Sequence, residues 1–215
     1  MTRDAAALDR LTALAERVRP AALARERTLP VVDALSGVLP EGLPRGASVG
    51  VASTCARATG STSLALAVLA GPSSAGSWTA AVGVPSLGLG AAAGFGVDLG
   101  RLVLVAAPPM AQWATVVATL LDAFDVVVAR PPGPGRVPAG IGCRLTARAR
   151  ERGSVLVRLG PTAAWPEAAD VSLTVVATAW EGLGDGHGHL RARRAVVEVS
   201  GRRGYARPRQ VELWL

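Results

Sequence analysis

The sequence contains no lysine, no asparagine and a single isoleucine, Ile141. All 23 basic residues are therefore arginine. That absence removes the lysine that an ordinary phosphate-binding loop sends to the β and γ phosphates. Cys55 and Cys143 are the only cysteines, too few for a disulfide framework, and they read as free thiols in packing or loop positions. Histidine is limited to His187 and His189, and aromatic residues to 4% of the chain. Glycine, proline, serine and arginine interrupt every apolar stretch before it reaches the roughly 18 residues of a membrane span. The opening "MTRDAAALDRL" carries acids where a secretory leader would be cationic and then apolar. The expectation is a cytoplasmic protein with no membrane association.

What remains is a chain of 215 residues, 50% hydrophobic and 18% charged, with a formal charge of +7. It can bury one sizeable core and is too short for two ordinary α/β domains. Arginine's planar fork suits phosphate and carboxylate partners, so the surplus permits nucleic-acid contact. Abundant alanine, glycine, proline and arginine, with lysine and asparagine missing, is also the imprint of GC-rich coding, which accounts for most of the excess.

Residues 1–27 read as an amphipathic helix and linker: Leu8, Leu11, Leu14, Ala15 and Val18 recur at helical spacing, and Pro20 ends the pattern. Residues 28–215 read as one domain, entered through a connector with a short helix around Val31 to Leu35. Strands are predicted at Ala47–Ser53, Trp78–Val84, Leu102–Ala106, Val126–Ala129, Ser154–Leu159 and Val171–Ala177, with helices at Thr62–Ala70, Pro109–Asp122 and Cys143–Glu151. Apolar strands alternating with helices imply an α/β fold with a mostly parallel sheet flanked by helices. The last third, "AWEGLGDGHGHLRARRAVVEVSGRRGYARPRQVELWL", reads as strand, turn, strand, turn and strand, an antiparallel C-terminal extension.

The stretch "GASVGVASTCARATGSTSLALAVL" has the outline of a phosphate loop between a strand and a helix. Laying G-x-x-x-x-G-K-[ST] on "CARATGST" puts Cys55 at the first glycine, Gly60 at the second, Ser61 at the lysine and Thr62 at the hydroxyl. Only Gly60 and Thr62 match. Arg57 is the one nearby side chain that could supply charge, and a guanidinium is a poor substitute for a lysine stem inside a tight backbone nest.

Together with this loop, "LPRGASV", "GFGVDLGRLVLVAAPP", "LLDAFDVVVARPP" and "RLTARARERGSVLVRLGP" resemble the RecA-like core in order and spacing. Within that superfamily the chain is most similar to the ImuA group of bacterial mutagenesis accessory proteins, in particular the short actinobacterial form, ImuA-prime, related to SulA. The resemblance implies a RecA-like α/β fold over residues 28–215. It also implies where hydrolytic groups would stand, and Pro85 falls at the water-activating glutamate, Arg130 at the magnesium-associated acid, and Leu159 and Gly160 at the polar sensor. An arginine in place of a magnesium-holding carboxylate repels the cation. Four losses in one direction point away from hydrolysis, so no catalytic residue, metal or cofactor is expected.

Other patterns are weaker. "GASVG" fits G-x-S-x-G, yet Ser48 opens a strand rather than standing on a strand-to-helix turn, so hydrolase chemistry is not expected. "GDGHGH", with Asp185, His187 and His189 at alternate positions, lacks a third or fourth fixed ligand and a second shell and reads as an exposed hairpin turn. Arg191, Arg193, Arg194, Arg202, Arg203, Arg207 and Arg209 gather around Tyr205, a combination that can contact DNA or form a solvated hairpin face.

By its resemblance to the ImuA group, the chain is expected to be a non-catalytic adaptor of translesion synthesis within the DNA-damage (SOS) response. It would bind an ImuB-like Y-family polymerase homologue and, indirectly, an error-prone replicative-type polymerase. A SulA-like division inhibitor acting on the bacterial tubulin homologue is the second reading, and a RecA-like ATPase or DNA-binding protein the third.

Overall fold

Runs of valine, leucine and alanine form the middle strands of one eight-stranded sheet, in a computed structural model that describes residues 27–55, 60–133, 135–184, 187–202 and 205–215. The helix expected within residues 1–27 lies outside the described residues. A two-stranded antiparallel ribbon, β1 (Thr28–Leu29) and β2 (Leu43–Pro44), brackets helix α1 (Asp33–Ser36). The sheet then begins with β3 (Ser48–Ser53), followed by α2 (Ser61–Ser74), β4 (Thr79–Val82), α3 (Leu89–Gly94) and β5 (Leu102–Val105). It continues through α4 (Met110–Ala123), β6 (Val126–Ala129), α5 (Ala139–Arg152) and β7 (Val155–Leu159). The long strands β8 (Val171–Gly184), β9 (His187–Gly201) and β10 (Arg209–Trp214) complete it.

The strand order is β10-β9-β8-β3-β7-β6-β4-β5. From β8 to β5 all neighbours are parallel, whereas β8 with β9 and β9 with β10 are antiparallel. The fold is therefore α/β, a mostly parallel mixed sheet flanked by helices with antiparallel C-terminal strands. Period-2 alternation sorts the strand residues onto two faces. Val126 and Val128 join a core with Leu64 to Ala70 of α2, while Val127 and Ala129 face Trp113, Val117 and Leu121 of α4 and Leu145 and Ala149 of α5.

Helix α2 is buried from Leu64 to Ser73, and its small residues let the connector lie directly on it. A Cβ on Gly71 would stand 2.5 Å from the Pro30 carbonyl oxygen and 2.6 Å from Val31 Cα. Leu29, Leu35, Val38, Leu39 and Leu43 bury their side chains in the same core, so the connector is part of this layer.

Three local expectations shift. Helix α2 runs to Ser74, past the expected end at Ala70, because Gly71 and Pro72 stay within it. Helix α5 starts at Ala139 rather than Cys143, with Pro138 as the residue before its first turn. The strand expected to stop at Ala177 continues to Gly184, and bulges between Val175 and Ala177 and between Glu181 and Leu183 absorb the change of register. Among the described residues, no helix is long and apolar enough to cross a membrane.

Candidate functional site

Strand β3 lies between β7 and β8, and the chain leaves it through α2 to reach β4 on the far side of β7 and β6. From β7 the chain instead crosses to β8, on the other side of β3. Divergence of this kind opens a crevice at the carboxyl ends of the strands, where ligands bind in open α/β sheets. The residues read as a remnant phosphate loop sit at this crest. The Thr54 N–H donates to the Val175 carbonyl at 3.0 Å, and the Cys55 N–H donates to Ser53 Oγ at 3.1 Å. Gly60 has φ +97° and immediately precedes α2, so the strand-to-helix turn uses a conformation that L side chains avoid. Ser61 is buried and Thr62 half-buried in the first turn, which contains no acid and receives no side-chain cap from Gly60. Arg57 lies outside the described residues.

Along the same crest, Pro85 is exposed just beyond β4, Arg130 follows β6, and Leu159 closes β7 with only 2% of its surface exposed. The strand ends are tied to one another. The Gly160 N–H donates to the Val51 carbonyl and the Arg130 N–H to the Val82 carbonyl, both at 3.0 Å. The Arg130 carbonyl accepts from Trp113 Nε1 at 3.0 Å, leaving its exposed guanidinium beside a cleft of about 340 Å³ that Arg136 and Gly160 also line. Proline and leucine offer no proton-accepting side chain, and two arginines make the cleft cationic.

The arginines of the C-terminal strands do not form one patch. Arg193 follows the inward parity of Ala195, Val197 and Val199 and is 7% exposed, on the face that packs against α2. Arg194 points the other way and meets Glu212 at 3.2 Å, while Arg191 is exposed. Arg202 stands at the opposite end of β9, nine positions from Arg193, or roughly 30 Å at strand rise. There it lines a cleft of about 440 Å³ with Arg45, Arg150 and Tyr205. Burial raises the Tyr205 phenol above its ordinary value, helped by Glu41 and opposed by Arg209. Arg207 is exposed, and Arg203 lies outside the described residues.

Ser48 Oγ donates to Asp170 Oδ2 at 2.9 Å from the first position of β3, a tie between neighbouring strands rather than a nucleophile on an elbow. His187 and His189 are exposed at the start of β9, and Asp185 lies outside the described residues. Among the described residues, no three His, Cys, Asp or Glu side chains come together as a metal site.

A family model described as the MT3502 N-terminal domain matches residues 37–167. The chain belongs to that family. It is also 38% identical over 118 residues to Rv3395c, an uncharacterized protein of Mycobacterium tuberculosis, a match that takes in 55% of this chain and 53% of the relative. The chain thus spans about half the length of the curated relative it matches.

The MT3502 N-terminal domain match covers β3 to β7, with Gly60, Thr62, Pro85 and Arg130 inside it. It stops at Glu167, so β8 to β10 and Arg193 lie beyond. Inside it also falls Arg158, a buried cation that reading by motif missed. Its guanidinium is 3% exposed, 5.1 Å from the Trp165 ring centroid and 3.8 Å from Glu167 Oε1. Burial lowers its pKa, opposed by Glu167 and Asp170. The signal available was the charge itself, set within the otherwise apolar strand "SVLVRLG". Chemically, the crest presents arginines, hydroxyls and the Cys55 thiol, a set suited to holding an anion.

Proposed function

We propose that residues 28–215 are a RecA-like domain that has kept the fold of the nucleotide loop and given up hydrolysis, and that the chain is a cytoplasmic, non-catalytic adaptor of DNA-damage-induced mutagenesis. Its partner in this reading is an ImuB-like Y-family polymerase homologue, through which it engages an error-prone replicative-type polymerase. The observation that carries the reading is Arg130. A RecA-like ATPase would end this strand on the carboxylate that serves magnesium, whereas β6 here ends on an exposed guanidinium beside a second arginine, Arg136. The central position of β3 and the left-handed Gly60 before α2 support common ancestry with the nucleotide-binding fold. Any direct DNA contact falls to the exposed arginines Arg191, Arg194, Arg202 and Arg207, with Arg193 turned inward.

Co-elution of the purified full chain with an ImuB-like polymerase homologue on size exclusion tests the assignment. A stoichiometric complex is expected. Association with the bacterial tubulin homologue in its place would transfer the chain to the SulA-like class and overturn the proposal.

A further inference from the structure

Three buried N–H donors meet where Arg158 of β7 lies against Trp165. Nε and Nη1 of Arg158, 3% exposed, and Nε1 of Trp165, 5% exposed, find no acceptor among the described residues. The tryptophan ring, its centroid 5.1 Å from the guanidinium carbon, attracts the cation without offering a lone pair. Glu167 Oε1 stands 3.8 Å from Nη1, too far for a hydrogen bond. That carboxylate is already engaged by α5: Oε1 accepts from Thr146 Oγ1 at 3.2 Å, and the Cys143 thiol lies 3.7 Å from Oε2.

Strand register explains why space remains beside these donors. Arg158 is paired across to Gly50 on β3, and Gly50 to Ser172 on β8, so the three share the sheet face that α4 and α5 cover over β4, β6 and β7. Helix α2 and the remnant phosphate loop belong to the opposite face. A glycine next to the arginine leaves a gap in the row of side chains. The crevice there holds about 10 Å³, room for roughly one water-sized atom, and it opens toward the half-buried Ser172 and Thr174.

Arginine and tryptophan side chains only donate, and a guanidinium does not shed its proton to escape burial. Donors left buried and unpaired are destabilising. The group that satisfies them is one that only accepts. A carboxylate does so, with about four lone-pair sites and no N–H or O–H of its own, and its charge strengthens each bond to the guanidinium. One carboxylate oxygen fits the crevice while the carbon that bears it stays at the mouth. A tetrahedral phosphate is too bulky to enter.

We infer that Arg158 and Trp165 form a binding site for a carboxylate group, free in a small acid or borne on a peptide side chain, entering from the side of the sheet at β3 and β8. Both residues fall within the family-matched segment. The site is independent of the adaptor reading, since a polymerase partner can be held with it filled or empty.

Nuclear magnetic resonance of the indole N–H groups of the full chain tests the site, with the Trp165 signal identified by its loss in Trp165→Phe. Sodium formate is exchanged for sodium chloride at constant ionic strength, and the capped peptide acetyl-Gly-Glu-Gly-amide is titrated separately beside its glutamine counterpart. A saturable shift of the Trp165 signal is expected with formate, with the glutamate peptide or with both, and the tighter of the two identifies the source of the carboxylate. Arg158→Met combined with Glu167→Leu should weaken binding at least about tenfold, and the exposed Arg144→Gln on α5 should leave it unchanged. If the double variant fails to fold, Arg158→Lys decides, because it keeps the charge, loses the Nε donor and should give a partial loss. No saturable shift with either carboxylate up to about 100 mM would overturn the site. Equal binding of the glutamine peptide, unchanged affinity in the Arg158 variants, or equal weakening by Arg144→Gln would overturn it as well.

Discussion

Replacing Gly60 with alanine tests whether the turn before α2 is held by backbone conformation and packing. At φ +97° an L-residue suffers the left-handed penalty, about 1–2 kcal/mol. The new Cβ would lie 3.1 Å from Val175 Cγ1, and Val175 is fully buried among β8, β3 and α2, so it has little room to withdraw. Overpacking of this kind costs about 1–3 kcal/mol. The loss of glycine's unfolded-state freedom returns about 0.4–1 kcal/mol. The net destabilisation expected for Gly60→Ala is therefore about 1–5 kcal/mol, which for a chain of this size lowers the melting temperature by roughly 2–20 °C. Gly96→Ala provides the control, since Gly96 has a similar φ of +89° and no atom within 4 Å of the added Cβ. It carries the conformational penalty alone and should lose less. Thermal and urea melts followed by circular dichroism measure both. A Gly60→Ala protein melting within about 1 °C of the wild type, or a larger loss at Gly96, would refute the reasoning.

Replacing the pair together, Arg158→Met with Glu167→Leu, should leave stability unchanged or raise it by up to about 4 kcal/mol in urea unfolding, because a buried and imperfectly matched ion pair gives way to apolar side chains of similar size. Glu167→Gln should lower stability by roughly 1–3 kcal/mol, by stripping the charge from the carboxylate that faces Arg158; the opposite ranking would contradict the description of this pair. On the surface, the Arg148 hydrogen bond, with the charges of Arg148 and Arg152, holds the Asp122 carboxyl below its ordinary value. A folded-state value below the unfolded one gives stability that is present above the unfolded value and disappears as pH falls through the folded one. The melting-temperature difference between wild type and Arg148→Gln should accordingly be present at neutral pH and shrink from about pH 4 downward, as read by melts across that range.

The sheet was legible because its strands are short apolar runs separated by turn residues, and because parallel strands covered on both faces need no polar alternation. The three helices that pack on it were legible from small-residue or amphipathic spacing. Helix α3 and the β1–β2 ribbon went unforeseen: "LGAAAG" and the pairing of Thr28 with Pro44 have too little local preference to stand apart from loop, and tertiary contact decides them. The ends of α2 and α5 were misplaced for a related reason, since Gly71 with Pro72 and Gly140 with Gly142 read as breakers until packing holds them in a helix. At the candidate site, the turn at Gly60 and the cation at Arg130 were visible in the motif spacing. Arg193 was counted with a surface cluster, although the inward parity of Ala195, Val197 and Val199 already placed it inside. Contiguity in sequence suggested a patch, and strand geometry sends neighbouring residues to opposite faces and opposite ends.

The central claim is that this loop has kept its shape and lost its chemistry, and phosphate release from ATP in the presence of magnesium tests it most directly. Wild type and Thr62→Ala should both stay at the buffer background, with or without single-stranded DNA. Turnover by the wild type that Thr62→Ala abolishes would contradict the account and make the chain a working ATPase.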